Sequence, residues 1–253
     1  MPDTHHNRHY LVVGGASGIG RSFVSLALKA GARVAVLDNN QAALDALTQD
    51  ETGAFTYYAD VCDRITVDSA VAAAANALEG HIDGLIFCVG IDLQQSFSAM
   101  AEADFQRVID INLLGAMRVS QAALPFLQQA KGDRCIINVS SGAGIQPLKE
   151  RSAYCVSKAG LNMLSKCLAM ELGEAGIRVV TVAPGAVETD LLASSYAHSE
   201  TPQQARAEIA NRYALKRIAH PQEIAATLLF LCGPDATYIT GTTIAVDGGR
   251  TYH

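Results

Sequence analysis

Short runs of β-branched residues alternate with longer stretches rich in alanine and leucine along most of this sequence. Most of the short runs are apolar on both faces, which is typical of strands inside a parallel sheet that helices cover on each side. We predict strands at YLVV (10–13), RVAVLD (33–38), FTYY (55–58), GLIFCV (84–89), CIINVS (135–140), RVVTVA (178–183) and TIAV (243–246). Helices are predicted near 18–30, 41–49, 66–79, 102–130, 152–174 and 221–232.

This alternation predicts an α/β fold, a doubly wound Rossmann-type parallel sheet of about seven strands with helices on both faces. The 253 residues suit one large domain, so we predict a single domain over residues 1–253. Two stretches interrupt the alternation, a long insertion at about 189–213 and a loop at 142–151. Both follow the carboxyl ends of strands, where open α/β sheets bind ligands. We expect the insertion to act as a mobile lid over a substrate pocket.

Charge and composition exclude several classes of protein. The formal net charge is -6 and no block of lysine and arginine occurs, so we expect no nucleic-acid partner. No apolar run approaches the roughly 18 residues of a membrane-spanning helix, so we expect no membrane partner. Six scattered cysteines without a C-x-x-C pair favour a reduced compartment and predict a cytoplasmic protein.

The polar stretch MPDTHHNRHY at the start of the sequence does not have the pattern of a signal peptide. His5, His6 and His9 could be a metal-binding tract. We favour the interpretation of a short disordered lead-in, and we expect no metal site.

A glycine-rich segment, VGGASGIGRS, follows the first predicted strand and opens a helix. Gly14, Gly18 and Gly20 are spaced for a sharp turn that lets a phosphate approach a helix N-terminus. The second strand ends in Asp38, whose carboxylate could accept both adenosine ribose hydroxyls and would repel a 2′-phosphate. This context predicts a dinucleotide site that prefers NAD to NADP. The alternative is a structural glycine turn, with Asp38 as a helix cap.

The segment SAYCVSKAG places Tyr154 and Lys158 four residues apart, on one face of a predicted helix. The phenol of tyrosine has a pKa of about 10, too high for proton transfer at neutral pH. A nearby ammonium group would lower that pKa. Ser141 lies thirteen residues before the tyrosine. Tyrosine–lysine pairs at this spacing are also common on exposed helix faces, so the pair alone predicts little.

Together these motifs resemble the short-chain dehydrogenase/reductase family in its compact form, over roughly residues 9–249. Further matching segments are YYADVCD, VIDINLLGA, INVSSGAG and APGAVETDL. The resemblance implies four catalytic residues, Asn112, Ser141, Tyr154 and Lys158, with Ser140 as a weaker candidate for the serine. It implies a cofactor site made of Gly14, Ser17, Gly18, Ile19, Gly20, Asp38, Asp60, Val61, Cys88, Gly90, Tyr154, Lys158, Pro184, Gly185, Val187 and Thr189.

The implied function is NAD-dependent interconversion of a secondary alcohol and a ketone by hydride transfer. Tyr154 would be the acid or base, Ser141 would steady the substrate oxygen, and Asn112 would hold a water that joins Lys158 to solvent. The resemblance also implies a homo-oligomer, with a tetramer favoured. Two alternatives share the fold: a non-catalytic dinucleotide-sensing regulator, and a cofactor-independent dehalogenase-like protein, which would carry arginine in place of Lys158.

The sequence departs from the family pattern after the fourth strand, where N-N-A-G is replaced by Phe87-Cys88-Val89-Gly90. The threonine of the glycine motif is replaced by Val13. The loss of the asparagines and the loss of the threonine hydroxyl could be a single change in packing, in which each replacement compensates for the other. Cys88 could be read as a nucleophile, but a small buried apolar side chain is the usual role of a free cysteine.

The substrate is not predicted by these motifs. Lys149 and Arg151 precede Tyr154 closely and could grip an acidic group on the substrate. The alternative is a solvated turn or a subunit contact with local ion pairs.

Overall fold

Seven parallel strands form one sheet in the computed structural model, which describes residues 4–196 and 201–251. The spatial order is β3-β2-β1-β4-β5-β6-β7, and every neighbouring pair is parallel. The strands are β1 His9–Val13, β2 Arg33–Asp38, β3 Ala54–Tyr58, β4 Gly84–Phe87, β5 Arg134–Val139, β6 Ile177–Pro184 and β7 Thr243–Val246. The predicted fold class is therefore confirmed.

Helices cover both faces of the sheet. In chain order they are α1 Gly18–Lys29, α2 Gln41–Asp50, α3 Arg64–Ala77, α4 Glu102–Ile109, α5 Gly115–Gln129, α6 Ser152–Leu172, α7 Asp190–Ser194, α8 Pro202–Asn211 and α9 Pro221–Leu231. Alternate residues along each strand point to opposite faces. Tyr10 and Val12 of β1 pack in one apolar cluster with α1, α2 and α9, whereas Leu11 and Val13 pack in a second cluster with α3, α5 and α6.

The strand order reverses at β1, which pairs with both β2 and β4. Chain connections diverge from this point toward opposite faces of the sheet. A crevice therefore opens beyond the carboxyl ends of β1 and β4, where doubly wound proteins bind ligands. The glycine-rich segment, Gly90 and the chain after β5 all start at this edge.

The long helix predicted over 102–130 is not continuous. A single π-helical turn, Asp110–Leu114, separates α4 from α5, and the amide of Gly115 donates to the carbonyl of Asp110. A Cβ on Gly115 would lie 2.9 Å from Cγ2 of Val61, so the turn also brings the helix close to the chain after β3. Single π turns within α-helices often mark functional sites.

Two helices, α7 and α8, lie within the described part of the insertion predicted at 189–213. Thr189 caps α7, since its Oγ1 accepts a hydrogen bond from the amide of Leu192 at 3.4 Å. Pro202 occupies the first turn of α8, where proline is well tolerated. The predicted mobile lid also covers residues 197–200, which lie outside the described residues.

The predicted disordered lead-in is wrong for the part of it that the structure describes. Residues 4–7 form a turn. The His5 ring lies 2.7 Å from the hydroxyl of Tyr10, and Arg8 donates to the carbonyl of Asp133 at 2.8 Å. His9 begins β1 itself and is buried. Residues 1–3 of the predicted lead-in lie outside the described residues.

Among the residues that the structure describes, no helix combines the length and the apolar character required to cross a membrane.

Candidate active site

A cavity of about 470 Å³ lies at the carboxyl edge of the sheet, beyond β4, β5 and β6. Ten of the predicted catalytic and cofactor-binding residues line it: Ile19, Cys88, Gly90, Ser141, Tyr154, Lys158, Pro184, Gly185, Val187 and Thr189. Ser140, Lys149 and Arg151 line it as well. The other predicted residues, Gly14, Ser17, Gly18, Gly20, Asp38, Asp60, Val61 and Asn112, lie outside its lining. Of these, Gly14, Ser17, Gly18, Gly20, Asp38, Asp60 and Val61 follow the ends of β1, β2 and β3 at the same edge.

Tyr154 and Lys158 lie on the first two turns of α6 and face the cavity together. Both side chains are nearly buried, with 8% and 3% of each residue exposed. Lys158 Nζ donates to the carbonyl of Val139 at 3.1 Å, so the end of β5 holds the ammonium group in place. The helical spacing predicted from the sequence thus brings the two functional groups into one cavity.

Burial dominates the protonation of both groups. It raises the pKa of Tyr154, although a hydrogen bond from Ser141 and the charge of Arg151 act in the opposite direction. Burial also lowers the pKa of Lys158 to about 8. The prediction that Lys158 lowers the pKa of Tyr154 is therefore wrong for this structure. The physical reason is that desolvation of the phenolate outweighs the hydrogen bond from Ser141 and the charge of Arg151.

Ser141 is the serine that contacts Tyr154. It follows β5, and its Oγ accepts from the amide of Ala143 at 3.1 Å and interacts with the Tyr154 phenol. The preceding Ser140 is buried and donates its hydroxyl to the carbonyl of Lys158 at 3.1 Å. The two serines therefore have different roles: Ser141 lies beside the reactive phenol, and Ser140 fastens α6 to β5.

Asn112 lies fully buried in the π turn. Its Oδ1 accepts from the amide of Ile91 at 2.8 Å, and its Nδ2 donates to the carbonyl of Ile91 and to Ser157 Oγ, both at 2.9 Å. A Cβ on Gly90 would lie 3.0 Å from Lys158 Nζ and 3.5 Å from Asn112 Oδ1. Asn112 therefore fixes the chain after β4 beside Lys158. The predicted water between Asn112 and Lys158 stays a prediction.

The glycine-rich segment has the geometry of an anion-binding turn. Gly14 has a φ of +75°, and a Cβ on Gly20 would lie 2.1 Å from the carbonyl oxygen of Gly14, so α1 packs directly on the turn. Ser17 is the N-cap of α1 but makes no side-chain cap hydrogen bond, and the first turn has no acidic residue. The first amides of α1 are thus free of a side-chain cap and suit a pyrophosphate group.

Asp38 connects the end of β2 to the glycine-rich segment. Its Oδ2 accepts from the amide of Ala16 at 3.1 Å, and its Oδ1 accepts from the amide of Asn40 at 3.1 Å. The cap of α2 is Asn40, whose side chain accepts from Ala43. The alternative of Asp38 as a helix cap is therefore wrong, and its carboxylate faces the turn that would bind a dinucleotide.

Asp60 and Val61 lie in the chain after β3. Asp60 Oδ1 accepts from the amide of Cys62 at 2.9 Å, which fixes the turn. Val61 is buried against Gly115, beside the π turn. This segment forms the outer end of the crevice, on the same side as Asp38.

The segment after β6 lines the cavity and contacts the glycine-rich turn. Val187 pairs with Ala219. The methyl group of Thr189 lies against Gly18, where a Cβ would be 3.1 Å away. Pro184 ends β6, and a Cβ on Gly185 would lie 2.6 Å from the ring of Tyr213.

The two departures from the family pattern are neighbours. Val13 pairs with Phe87 across β1 and β4, both are buried in the same apolar cluster, and the Cys88 amide donates to the Val13 carbonyl at 2.8 Å. Val89 lies against Gly14, where a Cβ would be 3.0 Å from its Cγ2. Apolar packing thus replaces the missing polar side chains. Burial raises the pKa of Cys88 to about 12, which does not suit a nucleophile.

The sequence predicts a substrate pocket built from residues 90–95, 142–151 and 189–213, and residues of all three stretches line the cavity. Arg151 forms an ion pair with Asp92 and donates to Gln94 Oε1 at 3.1 Å. Arg212 and Arg250 also line the cavity, as do Asp92, Gln94, Leu191, Leu192, Glu208 and Tyr213. Arg250 was not predicted, because it follows β7, outside these three stretches, and no local spacing links it to the cavity.

Comparison with known proteins agrees with the fold and the motifs. A family model described as enoyl-(acyl carrier protein) reductase matches residues 14–251. The 3-oxoacyl-(acyl-carrier-protein) reductase of Thermotoga maritima is 34% identical over 244 residues, 94% of this chain and 96% of the relative. D-erythrulose reductase of Gallus gallus is 34% identical over 242 residues, 96% of this chain and 95% of the relative.

Solved structures match over the same length. The crystal structure of levodione reductase has a TM-score of 0.93 and 30% identity, and the match covers 98% of each chain. A 3-ketoacyl-(acyl-carrier-protein) reductase from Brucella melitensis, complexed with NADH, has a TM-score of 0.89 and 30% identity over 97% of this chain and 99% of that one. The matches extend along the chain from the glycine-rich segment through the last strand. This chain belongs to the short-chain dehydrogenase/reductase family of oxidoreductases.

Proposed function

We propose that this protein is an NAD-dependent oxidoreductase that interconverts a secondary alcohol and a ketone. The observation that carries the proposal is the convergence of Ser141, Tyr154 and Lys158 on one cavity beside the glycine-rich turn. Relatives named as reductases of carbonyl compounds support the reaction class.

The residues along the crevice suit the parts of a dinucleotide that would lie against them. Asp38, Asp60 and Val61 would hold the adenosine end, and the uncapped start of α1 would hold the pyrophosphate. The segments around Gly90 and after β6 would hold the nicotinamide end. When bound, the nicotinamide ring supplies the hydride acceptor or donor. The proposed contacts are Gly14, Ser17, Gly18, Ile19, Gly20, Asp38, Asp60, Val61, Cys88, Gly90, Tyr154, Lys158, Pro184, Gly185, Val187 and Thr189.

Preference for NAD rests on Asp38. Its carboxylate already accepts from the amides of Ala16 and Asn40, which fixes it at the mouth of the glycine-rich turn. A 2′-phosphate placed there would meet a negative charge. The nearby Arg21 is paired with Asp50.

Tyr154 is proposed to transfer the proton. In ketone reduction its hydroxyl donates a proton to the substrate oxygen, and in alcohol oxidation its phenolate accepts one. The raised pKa of Tyr154 keeps the phenol protonated at neutral pH, which suits the donor role. Ser141 would hydrogen-bond the same substrate oxygen and stabilise its partial negative charge.

Lys158 and Asn112 would support that proton transfer. The pKa of Lys158 is lowered to about 8, so the group carries its charge for most of the time at neutral pH. Its position beside Gly90 and Val139 lets it contact a bound ribose and stabilise a phenolate. Asn112 is a positioning residue, because it acts through Ile91 and Ser157.

The test is an assay of purified protein with NAD and a panel of secondary alcohols, and with NADH and the matching ketones. We expect turnover, seen as a change in the absorbance of the reduced nicotinamide. A dinucleotide-sensing regulator would bind NAD without turnover of any substrate. A dehalogenase-like protein would release halide from a halohydrin without NAD. Either result would contradict the proposal.

We also propose that the protein forms a homo-oligomer, with a tetramer favoured. Val156, Met163 and Met170 recur every seventh residue on α6 and are 50%, 59% and 86% exposed. Such an apolar stripe on one helix suits packing against the same helix of a second copy. Light scattering coupled to gel filtration should give a mass above that of one chain, and Met163→Glu with Met170→Glu should lower it.

A cytoplasmic location is proposed as well. All six cysteines are free thiols, which suits a reducing compartment. Fractionation of cells that express a tagged protein should place it in the cytoplasmic fraction.

A further inference from the structure

A cluster of two histidines and an aspartate lies at the edge of the sheet opposite the cavity. His9 is the first residue of β1, Asp83 immediately precedes β4, and His81 lies in the turn between α3 and β4. Since β1 and β4 are parallel neighbours, their amino ends meet at this edge. One ligand atom from each of the three side chains lies within 4.8 Å of the others.

The backbone holds this cluster in place. The His9 amide donates to Asp83 Oδ2 at 2.8 Å, and the Asp83 amide donates to the His9 carbonyl at 2.8 Å. Glu79 and Gly80 both have positive φ, +61° and +86°, and the resulting turn brings His81 back over β1. Glu79 is not a glycine, so its left-handed conformation stores some strain at this turn. The His9 and His81 ring centres are 4.1 Å apart.

One atom of the cluster lacks a partner that its burial would require. His9 is 3% exposed and Asp83 is 5% exposed. Within the described residues, the buried Nδ1 of His9 makes no hydrogen bond. Buried polar atoms are nearly always paired. The ring that carries this unpaired nitrogen lies beside a second imidazole and a carboxylate, so the three side chains form a candidate ligand site.

We propose that His9, His81 and Asp83 bind a divalent transition-metal ion of the zinc class, through two imidazole nitrogens and one carboxylate oxygen. Imidazole ligands favour zinc, cobalt, nickel and copper over magnesium and calcium. Three protein ligands leave a further coordination position for water. The surrounding charges are balanced: Arg8 Nε lies 3.9 Å from Asp83 Oδ2, and Arg33 Nη1 lies 3.2 Å from Glu79 Oε1.

The metal ion has a structural role. It is bound at the sheet edge opposite the proton-transferring residues, and it ties the turn after α3 to β1. A ligand that binds only the folded chain stabilises it, by a free energy that grows with the logarithm of the ligand concentration above the Kd.

Titration of the full-length protein with Zn²⁺ and with Co²⁺ tests the proposal, after chelator treatment and dialysis. We expect saturable binding of one ion per chain, visible absorption bands from protein-bound Co²⁺, and an increase in the Tm of the protein. His81→Gln should weaken zinc binding by at least about tenfold, because a ligand is removed. The matched control is His6→Gln, since His6 is an exposed histidine of the same region that lies outside the cluster.

The proposal fails if the wild-type protein shows no saturable binding, or if His81→Gln binds zinc as the wild type does. It also fails if His6→Gln weakens binding as much as His81→Gln. X-ray absorption of the zinc-loaded wild-type protein needs no variant, and so decides the question even if His81→Gln does not fold. Two imidazole ligands support the site, and sulfur ligands overturn it, since they would place the zinc on cysteines.

Discussion

The ammonium nitrogen of Lys158 lies 5.9 Å from the ring centre of Tyr154, one helical turn away, in a cavity that buries both groups. Neither group has its ordinary pKa, and burial is the largest cause of the shift for both. Burial raises that of Tyr154 and lowers that of Lys158. Both shifts favour the uncharged form of the side chain, as desolvation always does.

Removing the phenolic hydroxyl should stop turnover and spare cofactor binding. We expect Tyr154→Phe to lower kcat by about 100-fold or more, since that is the typical contribution of an acid–base group. Binding of NADH, followed by its fluorescence, should change little because the ring remains in place. A variant that keeps more than about a tenth of wild-type turnover would exclude Tyr154 as the proton carrier.

The buried Lys158 should make the stability of the ligand-free protein depend on pH. Its pKa is lowered from 10.5 to about 8 in the folded chain, so the unfolded chain binds more protons between these values and stability rises with pH. Below about pH 8 the buried ammonium costs free energy. Relative to that of Lys158→Met, the free energy of unfolding of the wild type should therefore rise by up to about 3 kcal/mol between pH 8 and pH 10.5.

Urea unfolding of both proteins at several pH values measures this difference, and circular dichroism at each pH shows that both are folded. Because the other titrating groups are shared, the difference between the two proteins isolates Lys158. A difference that does not change with pH would contradict the lowered pKa.

Asp38 should set the choice of cofactor. We expect the wild type to prefer NAD to NADP in kcat/KM, because the carboxylate repels a 2′-phosphate. Asp38→Ala combined with Asn39→Arg should narrow or reverse that preference, since it removes the repulsion and adds a guanidinium. Steady-state kinetics with both cofactors measure the effect. Equal kcat/KM values for NAD and NADP in the wild-type protein would contradict the proposed preference for NAD.

If the substrate carries an acidic group, its recognition should depend on Arg212 rather than on Arg151. Arg151 is already paired with Asp92 and Gln94, so its guanidinium is largely engaged. We expect Arg151→Ala to raise KM for a hydroxy acid and for its neutral amide alike. Arg212→Ala should raise KM for the acid alone, by about tenfold, the loss of one charge-assisted hydrogen bond.

Arg206→Ala is the matched control for Arg212→Ala, since Arg206 lies on α8, which ends just before Arg212, and pairs with Glu188 outside the cavity lining. It should leave both KM values unchanged. If the wild type and Arg212→Ala treat acid and amide alike, the substrate carries no acidic group that this side of the cavity recognises.

The order of strands and helices was readable from the sequence because hydrophobic periodicity is a local property. The bounds of β2 and β7 agree with the prediction residue by residue, and the helix that carries Tyr154 begins at Ser152 as predicted. Motif spacing also placed Tyr154 and Lys158 on one helical face, since four residues make about one turn. The glycine-rich turn was predictable from the spacing of its glycines, and the structure shows why Gly20 is required there, since a Cβ would lie 2.1 Å from the Gly14 carbonyl oxygen.

Tertiary structure decided what depends on contacts between distant segments. The π turn at Asn112 could not be read from a periodic pattern, because its stabilising partners are Ile91 and Ser157. The direction of the Tyr154 pKa shift depends on burial, which spacing does not report. His9 and Asp83 meet only because β1 and β4 pair across more than 70 residues of sequence, and solvent exclusion at that edge leaves the His9 Nδ1 unpaired. A sequence pattern determines which residues lie on one face of a helix or strand. Only the packing of distant segments determines which of those residues are buried together and shielded from water.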